Sequence, residues 1–398
     1  MTMTNGFDKH IASFNRRSRR RHWRSFGAIL GVTALVIAGQ SVYERFLETQ
    51  AADTSERTSQ DMLPGAGARP IEVIEEGDGY RVVRHAGGVT RIPSSPQRIC
   101  ALAAADELLS IGVKPVAHSI KDGNFPDYLA ETLKDVSWIP NVYGDAMPNL
   151  EAIIQVQPDL IITRAPDRQT FLQLSKIAPV VVLLGHSHHY RQRVLDVGVL
   201  VGHQHEAEVR VAWYDAKVLA SRKVLHAKLH GQTFAFFRVN PRAFRMSGRG
   251  DSGGPVPFGD LQLPPPRLVA ENERNITLSP EQLIDLDADY AVVAVDEKVG
   301  SVRNMHEILE HPAWQWFPAG KNGHAMIVTR YRHWADSGIL GKSLIIDDVL
   351  RAVAPEALEA VNAEALEAMR RQALSSMSVK EFESMNALAA TVLRGTGT

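Results

Sequence analysis

The stretch NLEAIIQVQPDLII, Asn149 to Ile162, returns 130 positions later as SPEQLIDLDADYAV, Ser279 to Val292. Both copies open on a residue type that caps helix N-termini, Asn149 and Ser279. In the second copy Ser279 and Gln282 have capping-box spacing around Pro280, whose fixed φ suits a first helical position. Each copy then carries a glutamate in the first turn (Glu151, Glu281) and apolar residues at helical spacing. An aspartate, Asp159 or Asp289, leads into a β-rich run. A helix feeding a strand, twice in one chain, predicts two lobes built from the same α/β unit.

The surroundings extend this unit in both directions. Ile71–Glu75 and Tyr80–Arg84 alternate as a hairpin around Gly77-Asp78-Gly79. Strands are expected at Ile99–Ala103, Pro115–His118, Leu160–Thr163 and Val180–Leu184, with helices at Asp106–Ile111, Leu150–Val156 and Arg168–Lys176. This rhythm implies a mostly parallel sheet covered by helices. Tyr190–Leu229 has no proline and reads as one long helix, or two broken near Gly198 or Gly202. A second set follows: Thr233–Arg238, Glu281–Leu286, Tyr290–Val295, Asn304–Glu310, Ala325–Val328 and Gly338–Ala352. The expected fold is therefore α/β: two Rossmann-like lobes, 70–189 and 230–354, joined by a long bridging helix, 190–229. Residues 355–398 form a helical C-terminal extension that packs on the second lobe or binds a partner.

Ahead of the lobes, the first 24 residues hold a charge surplus of +6, which leaves −7 on the rest of a 398-residue chain of net charge −1. Phe26–Ala38 is an apolar run of 13, shorter than the roughly 20 residues of a bilayer span. Residues 1–43 therefore read as an export signal, with an uncleaved membrane anchor as the alternative, and 44–69 as a flexible polar tether. The acidic body argues against nucleic acid as a partner. The single cysteine, Cys100, excludes a disulfide framework and a cysteine zinc cluster, and reads as a small core residue.

Pro96-Gln97-Arg98-Ile99, Asp106-Glu107-Leu108-Leu109, Pro148-Asn149-Leu150-Glu151, Pro158-Asp159-Leu160, Ser279-Pro280-Glu281 and His311-Pro312-Ala313-Trp314 occur in order across about Gly79 to Ala354. Together they resemble class III, helical-backbone periplasmic substrate-binding proteins, which serve ABC importers of ferric siderophores, haem and vitamin B12. The resemblance implies a ligand cleft between the lobes, an iron(III)-siderophore ligand and no enzymatic role. It also implies a periplasmic or envelope location and an ABC permease dimer with its ATPase as partner, the protein acting as a monomer. In that family, glutamates at the places of Glu151 and Glu281 pair with permease arginines.

In open α/β sheets ligands sit beyond the carboxyl ends of strands, which singles out Arg164, Arg238, Arg242 and Arg330, with Tyr331 and Trp334 as aromatic contacts. Arg245 lies in the same segment as Arg242. Guanidinium groups suit carboxylates and the oxygens around chelated iron. A haem or cobalamin ligand is the alternative, the haem iron held by Tyr331, His186 or His333. Gly250-Asp251-Ser252-Gly253-Gly254-Pro255 spells a serine-protease nucleophile motif, so a hydrolase built on Ser252 is the third reading. Its α/β setting, without a histidine-bearing protease signature upstream, argues for a glycine-rich loop instead. His186-Ser187-His188-His189 and His203-Gln204-His205 read as solvated histidines rather than a metal site, and no catalytic set converges.

Overall fold

The computed structural model describes residues 70–119, 127–140, 147–164, 166–183, 189–251, 253–295, 299–329, 332–334, 337–375 and 377–394. The proposed leader and tether, residues 1–69, lie outside these.

Strand β1 (Glu72–Gly77) turns through Asp78-Gly79 into β2 (Tyr80–His85), and β3 (Gly88–Pro93) completes an antiparallel sheet. That third strand is not apparent from the sequence pattern. The first lobe follows as β4 (Ile99–Ala101), α1 (Ala105–Ser110), β5 (Ala117–His118), α2 (Asp127–Leu133), β6 (Ser137–Trp138), α3 (Leu150–Gln155), β7 (Leu160–Arg164), α4 (Arg168–Leu174) and β8 (Val180–Leu183). Its five strands are all parallel, in the order β6-β5-β4-β7-β8. The order reverses between β4 and β7, which makes their carboxyl ends the place for a crevice.

Helices α5 (Tyr190–Val201) and α6 (Gln204–Leu229) connect the lobes. The break falls at Gly202, whose φ of 78° ends α5 in the left-handed region. At this corner a Cβ on Gly198 would stand 2.6 Å from that of Ala207, so only glycine lets α5 meet α6 so closely. Helix α6 has 26 residues and spans about 39 Å.

The second lobe runs β9 (Phe234–Asn240), β10 (Ala243–Met246), a π-helical turn (Pro255–Asp260), α7 (Arg267–Ala270), β11 (Ile276–Leu278), a 3-10 turn (Pro280–Asp285) and β12 (Tyr290–Val295). It continues through α8 (Val299–Glu310), a 3-10 turn (Pro312–Gln315), α9 (Pro318–Lys321), β13 (Ala325–Val328) and a 3-10 turn (Arg332–Trp334). The order is β11-β10-β9-β12-β13, parallel from β9 to β13 and antiparallel through β10 and β11. The last three α-helices among the described residues are α10 (Ile339–Val353), α11 (Leu358–Ala373) and α12 (Val379–Arg394). The sequence repeat is thus α3–β7 over the Pro280–Asp285 turn and β12. The second copy forms its capping box, Gln282 Oε1 accepting the Ser279 N–H at 2.8 Å. It winds as a 3-10 turn rather than an α-helix, a form short helical pieces commonly take.

Among the described residues, alternation along the strands divides the interior into three cores. Ile99, Ala101, Leu160 and Ile162 share one core with Phe234, Phe236, Tyr290 and Val292 of the other lobe and with α5, α6 and α10 to α12. The intervening residues face outward cores, Cys100 and Ile161 in the first lobe and Phe237 and Val293 in the second. The C-terminal helices are therefore not an appendage on the second lobe. Val361, Ala365 and Met369 of α11 lie along α6, while Phe382 and Met385 of α12 pack with α1 and α2. Two buried cations fix this arrangement. Lys217 binds Asp347 at 2.7 Å, and Arg210 donates to the Ser110 carbonyl at 2.7 Å and to Asn386 Oδ1 at 3.2 Å. Leaving such a charge unpaired indoors would cost several kcal/mol, on the order of 3–5.

Candidate functional site

The inner face of each sheet is set by strand parity, because side chains two apart share a face. Arg164 ends β7 and continues the inner row of Leu160 and Ile162; it is half-buried. Arg238 continues the inner row of Phe234 and Phe236 and is also half-buried. Arg245 stands directly opposite Arg238 in the antiparallel register of β9 and β10 and is exposed. Arg242 occupies the turn between these strands, exposed, its N–H donating to Asn240 Oδ1 at 3.0 Å. Like charges directly opposite across strands repel, and Arg242 at the turn brings a third guanidinium to this end of the lobe. The sequence pattern shows Arg242 and Arg245 only as one segment; the β9–β10 pairing sets Arg245 beside Arg238.

The segment after β13 departs from expectation. Trp334 is wholly buried, stacked on Phe236 with ring centroids 3.9 Å apart, its indole N–H donating to Asp348 at 2.7 Å. It is a core residue, a correction to its reading as a cleft aromatic: an indole whose N–H and ring face are both used inside has no surface for a ligand. His333 is buried beside it with Nε2 2.6 Å from the same carboxylate, an arrangement that suits a structural histidine rather than a haem ligand. Arg330, Tyr331 and His186 lie outside the described residues.

This segment leads into α10, whose first N–H groups reach across to the first lobe. Leu340 and Gly341 donate to the Asp106 carboxylate at 3.0 and 3.1 Å, and Tyr128 donates to it at 2.8 Å. Burial and neighbouring Glu107 raise the Asp106 carboxyl to about 6. Glu107 itself is paired with Arg193 of α5 at 2.7 Å. Nothing in the sequence pattern flagged Asp106 as a cap for a helix more than 200 residues away.

The protease-like motif has a packing explanation. Ser252 lies outside the described residues, but a Cβ on Gly253 would fall 2.6 Å from Trp334, and one on Gly254 would fall 2.0 Å from the Gly248 carbonyl. The glycines let this loop close over the Phe236–Trp334 stack. Among the described residues no group of three His, Cys, Asp or Glu is placed to hold a metal ion. His203 and His205 each face a glutamate on α6, Glu206 at 3.1 Å and Glu208 at 4.0 Å. Cys100 is buried on β4, and burial pushes its thiol up to about 12.

Glu151 and Glu281 lie on the outer surfaces of the two lobes, both exposed. Hydrogen bonds from the Ser279 side chain and from its own N–H, with His311 nearby, hold the Glu281 carboxyl below its usual range. His311 Nε2 lies 3.5 Å from it.

Comparison with known proteins decides the family. The sequence pattern of the periplasmic binding proteins matches residues 101–330. The chain belongs to the periplasmic binding protein family. This periplasmic binding protein is 32% identical over 302 residues to the ferric-anguibactin-binding protein FatB of Vibrio anguillarum, covering 70% of this chain and 89% of that one. It is 27% identical to the probable siderophore-binding lipoprotein YfiY of Bacillus subtilis, covering 68% and 86%. Among solved structures it is similar to Staphylococcus aureus SirA complexed with staphyloferrin B. That match has a TM-score of 0.58 at 25% identity, over 68% of this chain and 97% of SirA. The class III architecture of two α/β lobes with a helical connection is thereby shared. No helix among the described residues is long and apolar enough to cross a membrane.

Proposed function

We propose that this periplasmic binding protein captures an anionic ferric siderophore outside the cytoplasmic membrane and delivers it to an ABC permease. The observation that carries the reading is the Arg238–Arg245 cross-strand pair, with Arg242 at its turn, on a scaffold whose relatives are named for siderophore or ferric-anguibactin binding. Arg164, at the switch point of the other sheet, adds a fourth cation on an inner face. Guanidinium forks match the ionised oxygens that chelate and surround ferric iron, and the protein supplies binding and orientation rather than chemistry. Arg330 and Tyr331 complete the proposed ligand set.

In this reading residues 1–43 direct export or anchor the chain, 44–69 tether it, and the lobes of 70–189 and 230–354 hold the ligand as a monomer. Glu151 and Glu281 face cationic side chains on the two halves of the permease. Titration of intrinsic fluorescence with ferric siderophores, ferric citrate, haem and cobalamin tests the ligand class. Saturable quenching by a negatively charged ferric chelate is the expected result; saturable binding of haem or cobalamin alone would replace this reading.

A further inference from the structure

We infer that Ile154 and Ile284 are paired apolar anchors with which the two lobes grip the permease, an inference that rests on the docking role proposed for Glu151 and Glu281. The repeat extends to burial. Ile153 and Leu283 are fully buried in the outer cores, whereas Ile154 and Ile284, one residue further on, are 56% and 55% exposed. Each exposed isoleucine follows its glutamate by three residues. That spacing makes neighbours on an α-helix and stacks side chains directly along a 3-10 turn. Each lobe therefore presents a carboxylate and a branched apolar side chain side by side.

A single exposed apolar residue needs no explanation. Here the same residue occupies the same register of both copies, exposed to the same extent, beside the same acid. Core packing does not account for it, because Ile153 and Leu283 already fill the inward positions. The surroundings enlarge both patches. Ile154 borders a hollow of about 570 Å³ lined in part by Leu150, Pro158, Lys176 and Ile177. On the second lobe Trp316, 66% exposed, follows the Pro312–Gln315 turn that packs against Pro280–Asp285.

Two equivalent half-sites on separate lobes call for a partner with two equivalent halves, each offering a cation beside an apolar surface. A permease dimer meets that description; a partner with one site would engage one lobe and leave the other pair idle. The two residue types then divide the work. Exposed charges set encounter rate and orientation, and desolvated apolar anchors set residence time.

Interferometry with the full-length protein and its importer's permease–ATPase complex in nanodiscs separates these roles. Ile154→Ser with Ile284→Ser should speed dissociation, by about tenfold per isoleucine (about 1.4 kcal/mol each), with association unchanged. Glu151→Gln with Glu281→Gln should slow association and flatten its salt dependence. Wild-type dissociation in the isoleucine double variant, with the glutamate variant impaired, overturns the anchors and leaves the docking reading standing. Wild-type kinetics in both double variants overturn both. A loss from only one of the two isoleucine single variants overturns the pairing. Unchanged fluorescence quenching by the ferric chelate establishes that each variant is folded.

Discussion

Asp289 repeats in the second lobe the contacts that Asp159 makes in the first. The Asp159 carboxylate accepts the N–H groups of Gln97 and Arg98 at 2.7 and 2.8 Å, while its own N–H donates to the Arg98 carbonyl at 3.0 Å. The Asp289 carboxylate accepts the Thr233 N–H at 2.8 Å, and its N–H donates to the Thr233 carbonyl at 3.2 Å. In both lobes an aspartate at the head of one central strand fixes the chain as it enters the neighbouring one. Replacing either with alanine strands backbone donors, at a cost of about 1–3 kcal/mol. Urea unfolding of Asp159→Ala and Asp289→Ala should show similar losses, and a loss in one alone would reduce the equivalence to coincidence of shape.

The cross-strand arginines yield opposite effects on binding and stability. Arg238→Ala and Arg245→Ala should each weaken an anionic ferric chelate by about 1.5–3 kcal/mol, the value of a charge-assisted contact. Removing Arg245 also relieves like-charge repulsion, so its unfolding midpoint should equal or exceed that of the wild type. Quenching titrations and thermal unfolding on the same samples check both halves.

Trp334 provides the converse. Trp334→Phe keeps an aromatic face on Phe236 but takes the N–H from Asp348, and should destabilise by about 1–3 kcal/mol. Affinity for the chelate should stay within twofold. A loss of affinity without a loss of stability would restore Trp334 to the cleft.

His85 makes the N-terminal sheet sensitive to acid. Its Nδ1 accepts N–H groups from Gly87 at 3.0 Å and Val182 at 3.2 Å, while Nε2 lies 2.8 Å from the Thr90 hydroxyl, which donates to the Val180 carbonyl. The ring is therefore neutral with its proton on Nε2, and burial lowers its pKa to about 4. Because the folded value lies below the unfolded one, the unfolded state takes up the proton first as pH falls. Stability from this group is complete above about pH 6.5 and declines toward pH 4, by on the order of 3 kcal/mol. His85→Asn keeps an acceptor near the Nδ1 position without a titrating group. Its stability relative to wild type should rise as pH drops across that window, as measured by urea unfolding at pH 7, 5.5 and 4.5.

Local patterns along the chain specify the unit from which the protein is built. The copies at 149–162 and 279–292, the strand runs before and after them, and the helical character of the C-terminal extension are legible because each depends on local spacing. A capping residue, a 3.6- or 2-residue period and a turn are written within a dozen positions. The place of Arg164 at the end of β7 is legible for the same reason, whereas Arg238 lies inside β9, which runs on to Asn240. Tertiary structure alone decided what those elements touch. The direction in which Trp334 turns depends on Phe236 and Asp348, and the exposure of Arg245 depends on an antiparallel pairing with β9. Helix α6 shows the physical reason most plainly. Its buried positions include Arg210 and Lys217, satisfied by Ser110, Asn386 and Asp347 from distant parts of the chain. Cations inside the core erase the apolar stripe by which a buried face is recognised, so only the folded chain reveals that α6 is enclosed by helices from its own C-terminus.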